Sequence, residues 1–367
     1  MFGDGTKPTR AIAGEGAGGG ASAGGVGTGV ARRTVGRVVE LSGPGLFRAQ
    51  RTTVRVVPAS VEGPRGLWFR RTDATERAGA GGEPLGAGLE SVIARPRQTV
   101  LSGAVGSAGV AGGPHGFETV EHVLSALVGV GVSDALIELD GPELPLLDGS
   151  ALCFAEALVE AGVVELSGAA GAAGGRGVLG VPALVIGATA ELGAASSGVA
   201  GAEGWTIRAE PLGDAGEGGA GGLAGAGGLA GVAGPVLELR YELDYGPGAP
   251  IAAQSFTYRH HWGHPDAAHY LRELAPARTF CTADEARQMQ QAGLFAHVRA
   301  QDVLVLGHDG PVGSALRFAD EPSRHKVLDM LGDLALVGRP IHGRVIGRRS
   351  GHAQNHEIGR ELLRRFG

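Results

Sequence analysis

The sequence predicts an α+β protein made of two similar units, each a sheet with its helices layered on one face. Three observations predict it. Short runs alternating apolar and polar residues are interleaved with a few runs of helical period. The order strands, helix, strand, helix occurs twice along the 367 residues. Gly/Ala tracts punctuate the chain where no apolar face can form, so the ordered parts between them must be compact layers.

Residues 1–33 are rich in Gly and Ala and are expected to be a disordered tail. In the first unit, 34–167, TVGRVVELSG, RTTVRVVPAS and LWFRRT read as strands. FETVEHVLSALVGVGV carries apolar residues at helical spacing and ends in Gly, which predicts a helix. DALIELDG is then a strand, and SALCFAEALVEAGVVEL a second helix. In the second unit, 176–367, VLGVPALVIG, GWTIRAE, PVLELRYELDY and AQSFTYRHH read as strands, with Gly-rich loops within about 190–235. DEARQMQQAGL reads as a short helix and DVLVLG as a strand. SRHKVLDMLGDLALVG comes next as a helix, PIHGRVIGRRS as a strand and NHEIGRELLRRF as a last helix.

Composition excludes several function classes. The net charge of −6 and a pI of about 6.1 do not point to nucleic acid. No apolar run has the length of a membrane span, and the first residues lack the apolar core of a secretory signal. Cys153 and Cys281 are the only cysteines. Two thiols make neither a disulfide framework nor a cysteine zinc site, and a reduced, cytoplasmic protein is expected. Any metal must be held by His and carboxylates.

The helix from Ser323 to Gly338 sets the question of function. His325, Asp329 and Asp333 recur at four-residue spacing in an otherwise apolar run. At about 100° per residue, Asp329 lies roughly 40° and Asp333 roughly 80° from His325, with Val327, Leu331 and Leu334 on the opposite side. One reading is a solvated face with an i, i+4 ion pair; the other is a metal site. The first-unit helix carries Thr119-Val-Glu121-His122, whose imidazole supplies a third ligand. His122, His325 and Asp329 would leave one position of a zinc ion open to water, with Glu121 placed to take a proton. Asp333 would orient the ring of His352, in SGHAQN.

Other candidates read more blandly. His260, His261, His264 and His269 are expected in a solvated loop, because their spacing fits no helical pair apart from one. Glu118 is expected to serve a helix dipole, Cys281 to pack, Arg348 and Arg349 to end an exposed strand, and Asp148-Gly149-Ser150 to form a turn that caps a helix.

TVEHVLSALVGVGVSDALIELDGPELPLLDGSA, RHKVLDMLGDLALVGRPI and SGHAQN, with ARTF (Ala277–Phe280) and LRF (Leu316–Phe318) in order, resemble the signature blocks of the UDP-3-O-acyl-N-acetylglucosamine deacetylases, zinc amidases of the committed step of lipid A biosynthesis. The resemblance covers roughly 34–362. It implies two α+β domains around a cleft that holds the active site. It implies zinc on His122, His325 and Asp329, without separating zinc from iron(II), and Glu121 as general base. It implies His352 as the cationic acid and Asp333 as the carboxylate holding it. Thr279 matches a hydroxyl near the oxyanion, Lys326 a cation on the nucleotide sugar, and Tyr245 an aromatic near the nucleotide. The partner implied is a UDP-linked acylated amino sugar, bound by a monomer with no nucleic-acid partner. Phe47 stands where the family carries His, and the 295–302 segment, in an insert at about 281–308 that lines the acyl passage in the family, departs from the family pattern. Two other functions stay open on these residues: a zinc amidase for a related N-acetyl sugar, and a homologue that binds a nucleotide sugar without turnover.

Overall fold

The computed structural model describes residues 29–73, 82–103, 116–166, 180–193, 204–212, 234–263 and 265–367. In the first half, β1 (Val39–Pro44), β2 (Arg51–Pro58), β3 (Leu67–Arg71) and β4 (Leu85–Gly86) precede three short strands, β5 (Val92–Ile93), β6 (Val100–Ser102) and β7 (Gly116–Glu118). Helix α1 (Glu121–Val130), strand β8 (Ala135–Leu139) and helix α2 (Leu152–Ala161) come after them. Alternation decides which face of a strand is covered: along β2, Thr52, Val54 and Val56 are buried while Arg51 and Arg55 are exposed.

The second half contains β9 (Ala190–Gly193), β10 (Thr206–Glu210), β11 (Val236–Leu243), β12 (Gln254–His261) and α3 (Ala267–Glu273). A small unit of β13 (Phe280–Thr282), α4 (Ala283–Gln291), β14 (Leu304–Gly307) and β15 (Gly310–Val312) comes next. Helix α5 (Glu321–Ala335), strand β16 (Ile341–Arg348) and helix α6 (His352–Phe366) complete it. Both helices and sheets are thus present in quantity, as the α+β class requires.

The two large sheets have one topology. The first runs β1-β2-β8-β3-β4 and the second β9-β10-β16-β11-β12, with Leu184–Val185 also pairing to β16. In each, the strand after the long buried helix inserts between the second and third strands, antiparallel to the former and parallel to the latter. The parallel pairs need a crossover, and α1 and α5 lie within these crossovers. Helices α1 and α5 pack on each other so closely that a Cβ on Gly332 would stand 2.1 Å from the carbonyl oxygen of Glu121. Only glycine permits that approach of two backbones. Val123, Leu124 and Leu127 of α1 and Val327, Leu331 and Leu334 of α5 are buried in one continuous core.

Several expectations need correction. Two segments inside the stretch expected to be a tail, or at its edge, are paired strands: Gly29–Ala31 pairs with Gly180–Pro182, and Arg33–Val35 with Val163–Glu165. Residues 1–28 lie outside the described residues. The second helix of the first half stops at Ala161, because Gly162 takes a φ of 79° and VVE becomes the strand Val163–Glu165. VLGVPALVIG is two strands with different partners, not one. Glu118 lies on β7, not in a helix turn, and accepts from the Arg48 guanidinium at 2.8 and 2.9 Å. The histidine cluster is not a solvated loop. His260 and His261 end β12, and His269 lies in α3, where it stacks on Tyr258. His260 is buried, edge-on to Trp262. His264 lies outside the described residues.

Candidate metal centre and acid–base site

Helix α1 starts at Glu121, so its first turn presents Glu121 and His122, both buried. Across the Gly332 contact, α5 presents His325, Asp329 and Asp333 from successive turns. His325 Nε2 lies 3.3 Å and His122 Nε2 3.9 Å from Asp329 Oδ1, and one ligand atom from each of the three residues falls within 4.8 Å of the others. Zinc bonds of about 2.0–2.2 Å hold tetrahedral donors about 3.3 Å apart, so the set is close to a ligating arrangement. Asp329 Oδ1 is buried without a hydrogen-bond partner among the described residues. A buried carboxylate oxygen left unpaired is costly, and a cation removes that cost. His325 Nδ1 lies 3.1 Å from the Ala277 carbonyl. Donation there fixes the tautomer that leaves the Nε2 lone pair facing Asp329. These residues fit a divalent metal.

Electrostatics agree with ligation. Burial pushes His122 down to about 3, with the neighbouring His325 adding to the shift, so its imidazole is neutral, as a ligand must be. Burial likewise lowers His325, against the opposing charge of Asp329. Burial works against the charge on Asp329, but His325, Lys326, His352 and His122 hold its carboxyl at about 2.

Beside this cluster stands a second one. Asp333 Oδ2 accepts from His352 Nδ1 and from Asn355 Nδ2, each at 2.8 Å. His356 Nε2 and the Thr99 hydroxyl meet its other oxygen at 3.2 and 2.5 Å. The far nitrogen of His352, Nε2, lies 3.9 Å from both Glu121 Oε1 and Asp329 Oδ2. Burial opposes protonation of His352, yet Asp333, Asp329 and Glu121 outweigh it and raise the ring to about 10. Glu121 moves the other way from an ordinary carboxylate: burial raises it to about 8, with Asp333 and Asp329 adding and His352 opposing.

Glu121, His122, His325, Asp329 and His352 line a cavity of about 200 Å³. Thr279, Lys326 and Tyr245 line it too. The Thr279 hydroxyl has no hydrogen bond among the described residues, while its N–H donates to the Gly149 carbonyl at 2.7 Å. Lys326 is not free: its Nζ donates to Asp329 Oδ2 at 3.1 Å. Tyr245 is 46 % exposed at the rim. On another wall, Phe47 and Phe295 lie 6.1 Å apart beside Leu46, Cys281 and Val303, so Cys281 packs as expected. The Glu143 carboxylate accepts from the N–H groups of Leu46, Phe47 and Arg48 and holds this loop. Arg97, Thr119 and Phe295, which border the cavity, are non-glycine residues with positive φ. Backbone strain of this kind persists where the surroundings hold it in place.

The sequence profile of the UDP-3-O-acyl N-acetylglycosamine deacetylase family matches residues 32–173 and 229–364. The chain belongs to this family. Relatives in this deacetylase family include proteins named UDP-3-O-acyl-N-acetylglucosamine deacetylase from three sources. That of Anaeromyxobacter dehalogenans is 30 % identical over 335 residues, 90 % of this chain and 87 % of the relative. The Nostoc sp. protein is 29 % identical over 332 residues, 90 % of this chain and 98 % of the relative. That of Brucella melitensis is 28 % identical over 335 residues, covering 90 % and 95 %. The deacetylase profile spans every residue of both clusters and leaves out 174–228, which holds most of the Gly-rich stretch within 190–235. Among the described residues no helix is long and apolar enough to cross a membrane.

Thr99, Asn355 and His356 also belong to the site, although no sequence motif singles them out for it. Asn355 and His356 nevertheless carry a signal. His352, Asn355 and His356 stand at i, i+3 and i+4, one face of a helix. Thr99 carries none.

Proposed function

We propose that this protein is a zinc-dependent amide hydrolase that removes the acetyl group of UDP-3-O-acyl-N-acetylglucosamine, the committed step of lipid A biosynthesis. The observation that carries the reading is the convergence of His122, His325 and Asp329, with an orphaned carboxylate oxygen, between Glu121 and the His352–Asp333 pair. When bound, a divalent ion supplies Lewis-acid polarisation of the acetamide carbonyl and a lowered pKa for water; zinc is the reading, with iron(II) as the alternative ion.

The chain's own residues do the rest. Glu121 takes a proton from the water whose oxygen bonds to the acetyl carbon. The C–N bond breaks as His352 Nε2 gives its proton to the departing nitrogen, so acetate and the free amine leave. Asp333 keeps the His352 ring oriented through Nδ1. The unpaired Thr279 hydroxyl serves the developing oxyanion, and Lys326 and Tyr245 hold the nucleotide sugar at the rim. Units 34–167 and 176–367 form two domains in this reading, with the site in the cleft between α1 and α5, in a cytoplasmic monomer.

The test is acetate release from UDP-3-O-acyl-N-acetylglucosamine by zinc-loaded protein, beside Glu121→Ala and a chelated sample. Turnover lost in both controls supports the reading. A folded protein holding one zinc and releasing no acetate would overturn it, and would point first to another N-acetyl sugar and then to a binder without turnover.

A further inference from the structure

We infer that Thr99 is a positioning residue that ties the proton acceptor Glu121 to the His352–Asp333 pair; the inference rests on the reaction proposed above. Thr99 is fully buried just before β6, in the first half of the chain. Its backbone N–H donates to Glu121 Oε2 at 3.0 Å. The hydroxyl donates to Asp333 Oδ1 at 2.5 Å and stands 3.2 Å from His356 Nε2. Its carbonyl accepts from the N–H of Val120, the residue before α1, at 3.3 Å. One residue therefore touches the carboxylate on α1, the carboxylate on α5 and a ring on α6, while meeting none of the three metal-ligating side chains.

The way each carboxylate is held sets the consequence. Glu121 Oε2 is occupied by the Thr99 N–H, which leaves Oε1 as the oxygen facing His352 Nε2 at 3.9 Å. Asp333 divides its two oxygens in the same way. Oδ2 receives His352 and Asn355, and Oδ1 receives Thr99 and His356. With both oxygens filled, the carboxylate cannot rotate, and the His352 ring it holds keeps Nε2 toward the site. Because the donors sit on one residue, the Glu121 and Asp333 carboxylates are fixed relative to each other across the two halves. Hydrogen bonds to charged groups inside a buried site are strong and geometrically exacting.

Thr99→Val separates the two roles, since it keeps the N–H to Glu121 and the side-chain shape but loses the hydroxyl. Thr99→Ser restores the hydroxyl. The measurements are kcat and KM for acetate release by zinc-loaded protein, and the low-field imidazole N–H signal of His352 in 15N-histidine-labelled protein, assigned by its loss in His352→Gln. In Thr99→Val, kcat is expected to fall about tenfold to a hundredfold, with KM within about twofold, and the His352 signal to move. Thr99→Ser is expected to return both toward the original values. An unmoved signal, an unchanged kcat, or a Ser variant as impaired as the Val variant would overturn the inference. Should the original protein release no acetate, the proposed reaction fails, and the His352 signal alone decides the role of Thr99.

Discussion

Helices α1 and α5 occupy the same place in two sheets of the same topology, yet they carry polar groups in different ways. In α1 all ten residues are buried, and the chemistry is confined to Glu121 and His122 at its start; the other eight residues read VLSALVGV. In α5 the polar groups run on through successive turns as His325, Asp329 and Asp333, beside an equally buried apolar back. The difference teaches that the repeated frame and the chemistry are separable. A helix end can place two groups with the rest of the helix given over to packing. A stripe through a buried helix requires partners along its length, and here they come from Lys326, His352, Asn355, His356 and Thr99.

Substitutions that act on one side of this contrast should separate chemistry from packing. The largest effect is expected at the head of α1. Glu121→Gln should lower kcat about 10²–10⁴-fold while leaving the thermal midpoint nearly unchanged; steady-state kinetics and a melting curve read the two together. In the body of the same helix, Leu127→Ala should cost about 2–5 kcal/mol of stability, measured by denaturant titration, with zinc stoichiometry intact in the folded protein. Gly332→Ala probes the contact between the helices. An exposed helical Gly→Ala gains up to about 1 kcal/mol, whereas here the added methyl meets the Glu121 carbonyl and should cost about 1–3 kcal/mol. A stabilised variant would show that the two backbones do not approach as described.

The smallest effect lies at the opposite ends of these helices. Val128, Gly131, Ala335 and Gly338 border a cavity of about 420 Å³ with His260 on its wall. Burial, with His261 adding, lowers His260 to about 3. Below its ordinary pKa of 6.5 the unfolded chain takes up a proton that the folded ring refuses. Its share of stability is therefore untouched above pH 6.5 and lost as the pH falls toward 3. At pH 5.5 the loss is about 1.4 kcal/mol. His260→Phe should remove that increment from the difference in stability between pH 7.5 and pH 5.5, read by urea unfolding; an unchanged difference would place the titration elsewhere.

Much of this was legible in the sequence where periodicity was strong. The spacing of Val123, Leu124 and Leu127 pointed to α1, and that of Val327, Leu331 and Leu334 to α5, because buried helices write a regular pattern. The boundaries that failed were those set by a single backbone angle or by a distant partner. Gly162 turns a helix into a strand, and Gly29–Ala31 becomes a strand only because Gly180–Pro182 lies beside it. Helix α3 is short and carries Tyr270 as its one buried residue, so it wrote no pattern. At the site, the metal-ligand candidates stood out as His and Asp in apolar surroundings. Thr99 did not, since a threonine before a strand is ordinary, and its three contacts reach residues 22 to 257 positions away.

The place of β16 in its sheet has a consequence for synthesis of the chain. Residues up to Leu139 suffice to complete the first five-strand sheet, so it can close while most of the polypeptide is still being made. The second sheet cannot. Its middle strand, Ile341–Arg348, is the second-to-last element, and until it emerges β9–β10 and β11–β12 are two hairpins with nothing to join them. A fragment ending before Ile341 therefore leaves the facing edges of β10 and β11 unpaired, and unpaired strand edges of this kind make a partly folded chain prone to aggregate.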